Sequence, residues 1–370
     1  MGKGSVMNFE KSAEIKRLEI ENDDDLRKLF HKHIHSIVLN GQKTSLEIEN
    51  NVWLAPLAGV TDLAFRLICK ESGSILSGEP TAAPGLVFTE MISAKGVHYK
   101  GNNSIRLADT DPREQPVSIQ IFGKEREIMA ESAMLFRDLG AAAIDINMGC
   151  PMHKITANGE GSALLQNPAL VEKIVSAVVN ASGLPVTVKI RRGFEIGKES
   201  CVAAALAAEA GGAAAITVHG RFRDEYYSGT CNLQSIANVK RAVKIPVIGN
   251  GDITSIGTAL KMFEQTGCDG IMIGRASLGR PWIFYELLRQ RKTKNILTSK
   301  ILEIIERHIK YAVTFKGEQY GIRELRKHLA WYTKGIHGAA AARDRIFKAS
   351  TTEEALSLIK QYFNAPEYNL

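Results

Sequence analysis

Ala143-Ile144-Asp145-Ile146-Asn147-Met148-Gly149-Cys150-Pro151 is the stretch that decides the fold. Its first five residues form a short β-branched run, and the chain then turns away through polar and special residues. Outward from it the pattern recurs. Apolar runs at 52–57, 86–90, 117–121, 186–190, 215–219, 246–250 and 270–274 alternate with helical stretches. With 143–147 they make eight strand candidates, the later ones spaced by about 25–40 residues. Continuous apolar strands separated by amphipathic helices imply a parallel sheet covered on both faces. Eight units within about 240 residues fit a closed α/β architecture, the (β/α)8 TIM barrel, better than an open doubly wound sheet. No Gly-x-Gly-x-x-Gly follows the first strand, which disfavours a dinucleotide-binding fold.

The flanks differ in pattern. Beyond Pro281-Trp282 the β-branched runs thin out, and residues 298–363 carry helical periodicity. The expected organisation is an N-terminal extension at 1–35, a catalytic barrel with an N-terminal hairpin at 36–290, and a C-terminal helical domain at 291–370. Residues 1–30 are charged, include Asp23-Asp24-Asp25, and read as an appended helix or arm. Two alternating strands around Asn40-Gly41 predict the hairpin. His31, His33 and His35 alternate at strand period, which would place them on one face. No cysteine or carboxylate supports a metal there, so none is assigned.

Composition narrows the class. The chain is 45% hydrophobic and 24% charged, ordinary for a globular protein. Five unevenly spaced cysteines do not make a disulfide framework, which favours a reducing, cytoplasmic setting. No apolar run reaches the ~18 residues that span a bilayer, and the N-terminus lacks a signal-peptide core. Met1-Gly2 is followed by Val6 where myristoylation wants Ser or Thr. The net charge of +7 is concentrated: residues 291–370 hold 15 Lys and Arg against 8 Asp and Glu, and the rest balances. Such a tail points to a polyanion, nucleic acid first, although a solvated basic helix pair has the same composition. No sequence signal fixes the oligomeric state.

Catalytic groups of such barrels sit at the C-terminal ends of the strands. The strand assignments therefore bring together Pro56-Leu57-Ala58, Glu90-Met91, Gln120, Asn147 with Cys150, Lys189 with Arg191, His219 with Arg221, Asn250-Gly251-Asp252 and Gly274-Arg275. Polar groups buried there without a partner cost free energy, so a bound ligand is their natural partner. The seventh and eighth ends combine glycines with Arg275, which suits a phosphate; the alternative is that the glycines only make tight turns. Lys189 can form a Schiff base or sit against an anionic reduced flavin. One cation, several amides and a phosphate nest suit FMN better than a Schiff-base sugar phosphate. Cys150 is the only cysteine at a predicted strand end. Its thiol, with an unperturbed pKa of about 8.5, can stay protonated at neutral pH and donate a proton. The loop beyond it runs to Gly159-Glu160-Gly161, a length suited to folding over a substrate.

At these residues the chain resembles the tRNA-dihydrouridine synthases, particularly the bacterial DusB-type branch. The matching segments are Leu54–Asp62, Ser118–Gly123, Asp145–Pro151, Val188–Arg191, Thr217–Arg221, Gly249–Asp252 and Gly274-Arg275, in family order. The tail segment Arg323-Glu324-Leu325-Arg326-Lys327-His328 resembles the family's RNA-binding domain. The resemblance implies that NADPH (or NADH) reduces FMN, that hydride passes to C6 of a uridine in tRNA, and that Cys150 protonates C5. It implies FMN contacts from Pro56, Leu57, Ala58, Gln120, Lys189, His219, Asn250, Gly251, Asp252, Gly274 and Arg275. Asn147 and Arg191 would hold the uracil or line its pocket. Two departures stand out: Met152-His153-Lys154 has His153 where the family often has a basic residue, and residues 1–35 have no counterpart. Three rival readings fit the same residues. They are an FMN barrel reducing a free pyrimidine or other small molecule, a Schiff-base lyase using Lys189, and a catalytically idle RNA-binding protein.

Overall fold

A computed structural model describes residues 23–79, 82–289, 296–334 and 338–363. The Met1-Gly2 signal and residues 1–22 of the expected extension lie outside the described residues. The described residues open with helix α1 (Asp23–His31), a hairpin of β1 (Ile37–Asn40) and β2 (Ser45–Ile48), and strand β3 (Val52–Leu54). Then come α2 (Leu63–Ser77), β4 (Val87–Phe88), β5 (Ile92–Ser93), α3 (Ala94–His98) and α4 (Asn102–Arg106). Regular alternation follows: β6 (Val117–Phe122), α5 (Arg126–Asp138), β7 (Ala143–Met148), the short α6 (His153–Thr156), α7 (Pro168–Ser182), β8 (Val186–Gly193) and α8 (Cys201–Ala210). The barrel ends with β9 (Ala215–Phe222), α9 (Leu233–Ala242), β10 (Val247–Asn250), α10 (Ile256–Thr266) and β11 (Gly270–Ile273).

The main sheet runs β3-β11-β10-β9-β8-β7-β6-β4, with β5 also pairing β6, and every pair is parallel. Two hydrogen bonds bridge its ends: Leu54 N–H donates to Leu86 O at 3.0 Å, and Gly85 N–H to Val52 O at 2.9 Å. The result is a TIM barrel of eight parallel staves with helices between them, the second stave split into β4 and β5. Closure brings two backbones together at Gly85, where a Cβ would lie 2.0 Å from Asn50 O. β7 and β9 are buried along their whole length, as strands covered on both faces must be.

The hairpin pairs Ile37 with Ile48 and packs Ile37, Leu39 and Ile48 against Trp53, Phe88, Ala215, Ile248 and Met272. Its connection is the four residues 41–44 rather than a two-residue turn on Asn40-Gly41. Gly41 N–H donates to Thr44 O at 2.8 Å, and Lys43 N–H to Gly183 O at 2.9 Å, so the loop leans on the α7–β8 turn. The three histidines do not share a strand. Leu26 and Phe30, four apart, are buried on one helical face with Phe30 near Phe263, so His31 ends a helix. His33 stacks on Phe263 and bonds Glu264 at 2.9 Å.

Packing separates a second unit, the described parts of Asp62–Ala83 and Arg275–Leu370. It contains α2, α11 (Ile283–Leu288), α12 (Thr298–Lys316), α13 (Glu318–Tyr332), α14 (Ala339–Ile346) and α15 (Thr352–Phe363). Its core joins Ile68 and Ile75 of α2 to Trp282, Ile305, Ile309, Leu325, Leu329 and Ile359. The domain boundary expected at 290 thus moves to 274, because Trp282 is buried in the helical core. Within this unit, His308 Nδ1 meets the Tyr332 hydroxyl at 3.0 Å, and the His328 ring lies 4.9 Å from that of Phe65. Both ring nitrogens of His328 are buried without a hydrogen-bond partner. Among the described residues, no helix is long and apolar enough to cross a membrane.

Candidate active site

Alternation along β7 sends Asp145 and Asn147 to one face, and β7 ends just before Gly149-Cys150. Cys150 is 8% exposed. Burial pushes its thiol above the ordinary cysteine value; the Met152 backbone and the Arg191 guanidinium oppose this. The segment beyond it is folded: α6 forms, and Cys150 O accepts from Ser162 N at 3.1 Å and Ser162 Oγ at 2.8 Å. Asn147 Oδ1 accepts the backbone N–H groups of Gly149 at 3.1 Å and Cys150 at 2.9 Å. Its Nδ2 donates to Gln120 Oε1 at 2.9 Å and points at Met91 Sδ, 3.7 Å away.

Gln120 continues the chain inward. Its Nε2 donates to Asp145 Oδ2 at 2.6 Å, and Thr187 Oγ1 donates to Asp145 Oδ1 at 2.5 Å. Burial raises the Asp145 pKa to about 6, opposed by these two hydrogen bonds and by Lys189. Lys189 Nζ donates to Asn250 Oδ1 at 2.9 Å, and Asn250 Nδ2 to Met272 O at 2.8 Å. Burial, reinforced by Arg191, lowers the Lys189 pKa to about 8. His219 is buried and pairs in register with Asn250 on the neighbouring strand. A cation, an imidazole and amides therefore converge at the strand ends, a donor set able to take an anionic ring or a phosphate.

The remaining predicted residues have distinct places. Arg191 is 3% exposed and ties the loop after β7 to the end of β9 and the loop beyond it: Nε donates to Gly149 O at 2.8 Å, and Nη1 to Phe222 O and Tyr226 O, both at 3.0 Å. Asp252 Oδ2 accepts from Arg221 Nη2 and Cys231 N, both at 2.8 Å, so this carboxylate ties down the β9–α9 loop. Gly251 has φ +133°, and a Cβ there would lie 2.5 Å from Cys231 Sγ. Pro56, Leu57 and Ala58 follow β3 in a tight turn in which Leu57 N–H donates to Thr61 Oγ1 at 3.0 Å. Next in the turn, Gly59 N–H donates to the Glu90 carboxylate. A Cβ on Gly274 would touch Ala55 and Leu57 only at ordinary contact distance, 3.6 and 3.7 Å. Arg275 opens the 3₁₀ turn Arg275–Ser277 at the start of the helical unit. Sequence reasoning assigned no role to Asp145, Thr187 or Arg221. Arg221 Nη1 is a buried donor without a partner. Arg221 had been placed at a strand end without a role; period-two alternation from Asn147 and Lys189 was the signal that could have found Asp145 and Thr187.

Comparison with known proteins gives one family. The dihydrouridine synthase profile matches residues 53–366. A probable tRNA-dihydrouridine synthase 1 from Synechocystis is 40% identical over 323 residues, 86% of this chain and 87% of that protein. tRNA-dihydrouridine synthase B of Xanthomonas campestris is 40% identical over 86% of this chain and 94% of its own. The protein of that name from Pseudomonas putida is 38% identical over 90% and 97%. Among solved structures, the 6-hydroxypseudooxynicotine amine oxidase of Pseudomonas geniculata superposes with a TM-score of 0.52 at 12% identity. That match covers 70% of this chain and 49% of the oxidase, and is a likeness of fold.

Proposed function

The chain belongs to the dihydrouridine synthase family, a family of oxidoreductases, and from that premise we propose that it reduces the C5=C6 bond of particular uridines in tRNA. Relatives named tRNA-dihydrouridine synthase B support the B-type assignment. The observation that carries the reading is Cys150: a thiol just past the end of β7, on a backbone whose Gly149 and Cys150 N–H groups both donate to Asn147 Oδ1, and kept protonated by burial. A general acid must carry its proton at the working pH, so a raised pKa suits donation to C5. A nucleophilic cysteine would need the opposite shift.

The donor set at the strand ends fits FMN: a lysine, an imidazole, amides, and the orphaned Arg221 Nη1 near them on β9. The residues that would hold it are Pro56, Leu57, Ala58, Gln120, Lys189, His219, Asn250, Gly251, Asp252, Gly274 and Arg275. When bound, FMN supplies the hydride for C6 and is recharged by NADPH or NADH. Lys189, whose pKa of about 8 leaves it mostly charged at pH 7, offsets negative charge there. Asn147 and Arg191 line the uracil pocket from the Cys150 loop that they brace. Cys150 then gives its proton to C5 of a base that has left its stack.

The basic C-terminal tail supplies phosphate contacts to tRNA, and a cytoplasmic setting accords with the tRNA substrate and the five free cysteines. The test is to map dihydrouridine across tRNA and ribosomal RNA from cells with and without the gene. Loss at defined tRNA positions is the expected result. An unchanged map refutes the proposal. A yellow purified protein with flavin absorbance excludes the Schiff-base alternative.

A further inference from the structure

The polar residues inside the barrel form one directed chain, and its direction is set at the end farthest from Cys150. A carboxylate only accepts hydrogen bonds, so the Gln120 amide must turn its NH2 toward Asp145. Gln120 Oε1 is then left facing Asn147 and requires a donor, which the Asn147 NH2 supplies. Asn147 Oδ1 is thereby turned to the loop, where it meets the N–H groups of Gly149 and Cys150. Reversing either amide would set NH2 against N–H at the loop or oxygen against carboxylate at the core. All three side chains are buried, so water cannot repair such a mismatch.

We propose that Asp145 is a positioning residue for Cys150: through Gln120 and Asn147 it fixes the one amide orientation that pins the Cys150 backbone. The assignment rests on Cys150 being the proton donor, but the pinning itself is independent of the reaction. Thr187 holds the second carboxylate oxygen and keeps Asp145 in place. With a pKa of about 6, Asp145 is mostly ionised at pH 7, the state the chain requires.

The experiment compares wild type with Asp145→Asn, which keeps the shape but offers an NH2 as readily as an oxygen to Gln120. Iodoacetamide labelling of the flavin-loaded protein is followed by peptide mass spectrometry. Buried Cys69, Cys201 and Cys268 serve as internal reporters of general loosening. Cys150 labelling is expected to accelerate by roughly tenfold, the scale of one buried hydrogen bond, with those three unchanged. Asn147→Ala is expected to reproduce the effect, and the double variant to add little. Thr187→Val, which leaves the Gln120 contact intact, is expected to give a smaller change and serves if Asp145→Asn does not fold. Re-oxidation of the reduced enzyme by a tRNA transcript is expected to slow with Cys150 displacement, while flavin reduction by NADPH stays within about twofold. Unchanged Cys150 labelling, all cysteines accelerating together, or additive effects in the double variant would each overturn the proposal. Failure of the functional reading is separate: wild type itself would then not be re-oxidised by tRNA.

Discussion

Arg191→Met removes the guanidinium that ties the loop after β7 to the β9–α9 stretch, while keeping an unbranched, apolar side chain of similar reach. Three hydrogen bonds vanish, to Gly149 O at 2.8 Å and to Phe222 O and Tyr226 O at 3.0 Å. Tyr226 is 44% exposed, so its carbonyl can turn to water. Gly149 and Phe222 lie deeper, and each stranded carbonyl costs about 1–3 kcal/mol. Desolvating the guanidinium offsets part of this in wild type, which leaves a net loss of about 2–4 kcal/mol. A two-unit chain need not unfold in one step, so the local quantity to measure is amide hydrogen exchange. Peptides spanning 149–166 and 222–231 should exchange roughly 30- to 700-fold faster in the variant, with helical-unit peptides unchanged. Arg191→Lys, which can keep one contact, should fall between. Exchange within about threefold of wild type in both segments would refute the tie and return Arg191 to a pure substrate contact.

Three further outcomes follow from the same geometry. Cys150→Ala should slow uridine reduction by roughly 10²–10⁴-fold, with tRNA affinity and flavin reduction by NADPH kept; equal loss in both half-reactions would count against a proton donor. Gly251→Ala forces a Cβ to 2.5 Å from Cys231 Sγ at φ +133° and should weaken flavin retention by about tenfold, read from the flavin-to-protein ratio. In the helical unit, burial lowers the pKa of His308 to about 4 and that of His328 well below the ordinary histidine value. Histidines kept neutral when folded take up protons on unfolding, so stability is full above about pH 6.5 and lost as pH falls toward the folded values. His328→Phe should therefore spare about 2 kcal/mol of the loss between pH 7 and pH 5. It would show as a smaller drop in Tm over that range than in wild type; an equal drop would refute the assignment.

Much of the fold was legible because its cause is local. A continuous β-branched run between helical stretches can only be satisfied by a strand buried on both faces, and all eight such runs became barrel staves. Cys150 was legible for the same reason, since the end of a barrel strand is a position that chain periodicity fixes. The hairpin was visible but its turn was not, because the loop is shaped by backbone contact with Gly183, distant in sequence. The alternating histidines misled because helical burial of Leu26 and Phe30 outweighs a two-residue rhythm. The domain boundary moved for a similar reason: Trp282 found its apolar partners in later helices.

The staves, the residues at their ends and the family those residues match can all be read from the order of amino acids along the chain. Tertiary structure alone decided which polar atoms there are already committed. Asp145 meets Gln120 from 25 residues away and Thr187 from 42, Arg191 reaches Gly149 across 42, and Lys189 reaches Asn250 across 61. These partnerships are set by the register between neighbouring strands and by closure of the ring, which no local pattern encodes. Asp145 therefore read as one polar residue in an apolar run, and became the anchor of the Cys150 loop only when the barrel brought Gln120 and Asn147 against it.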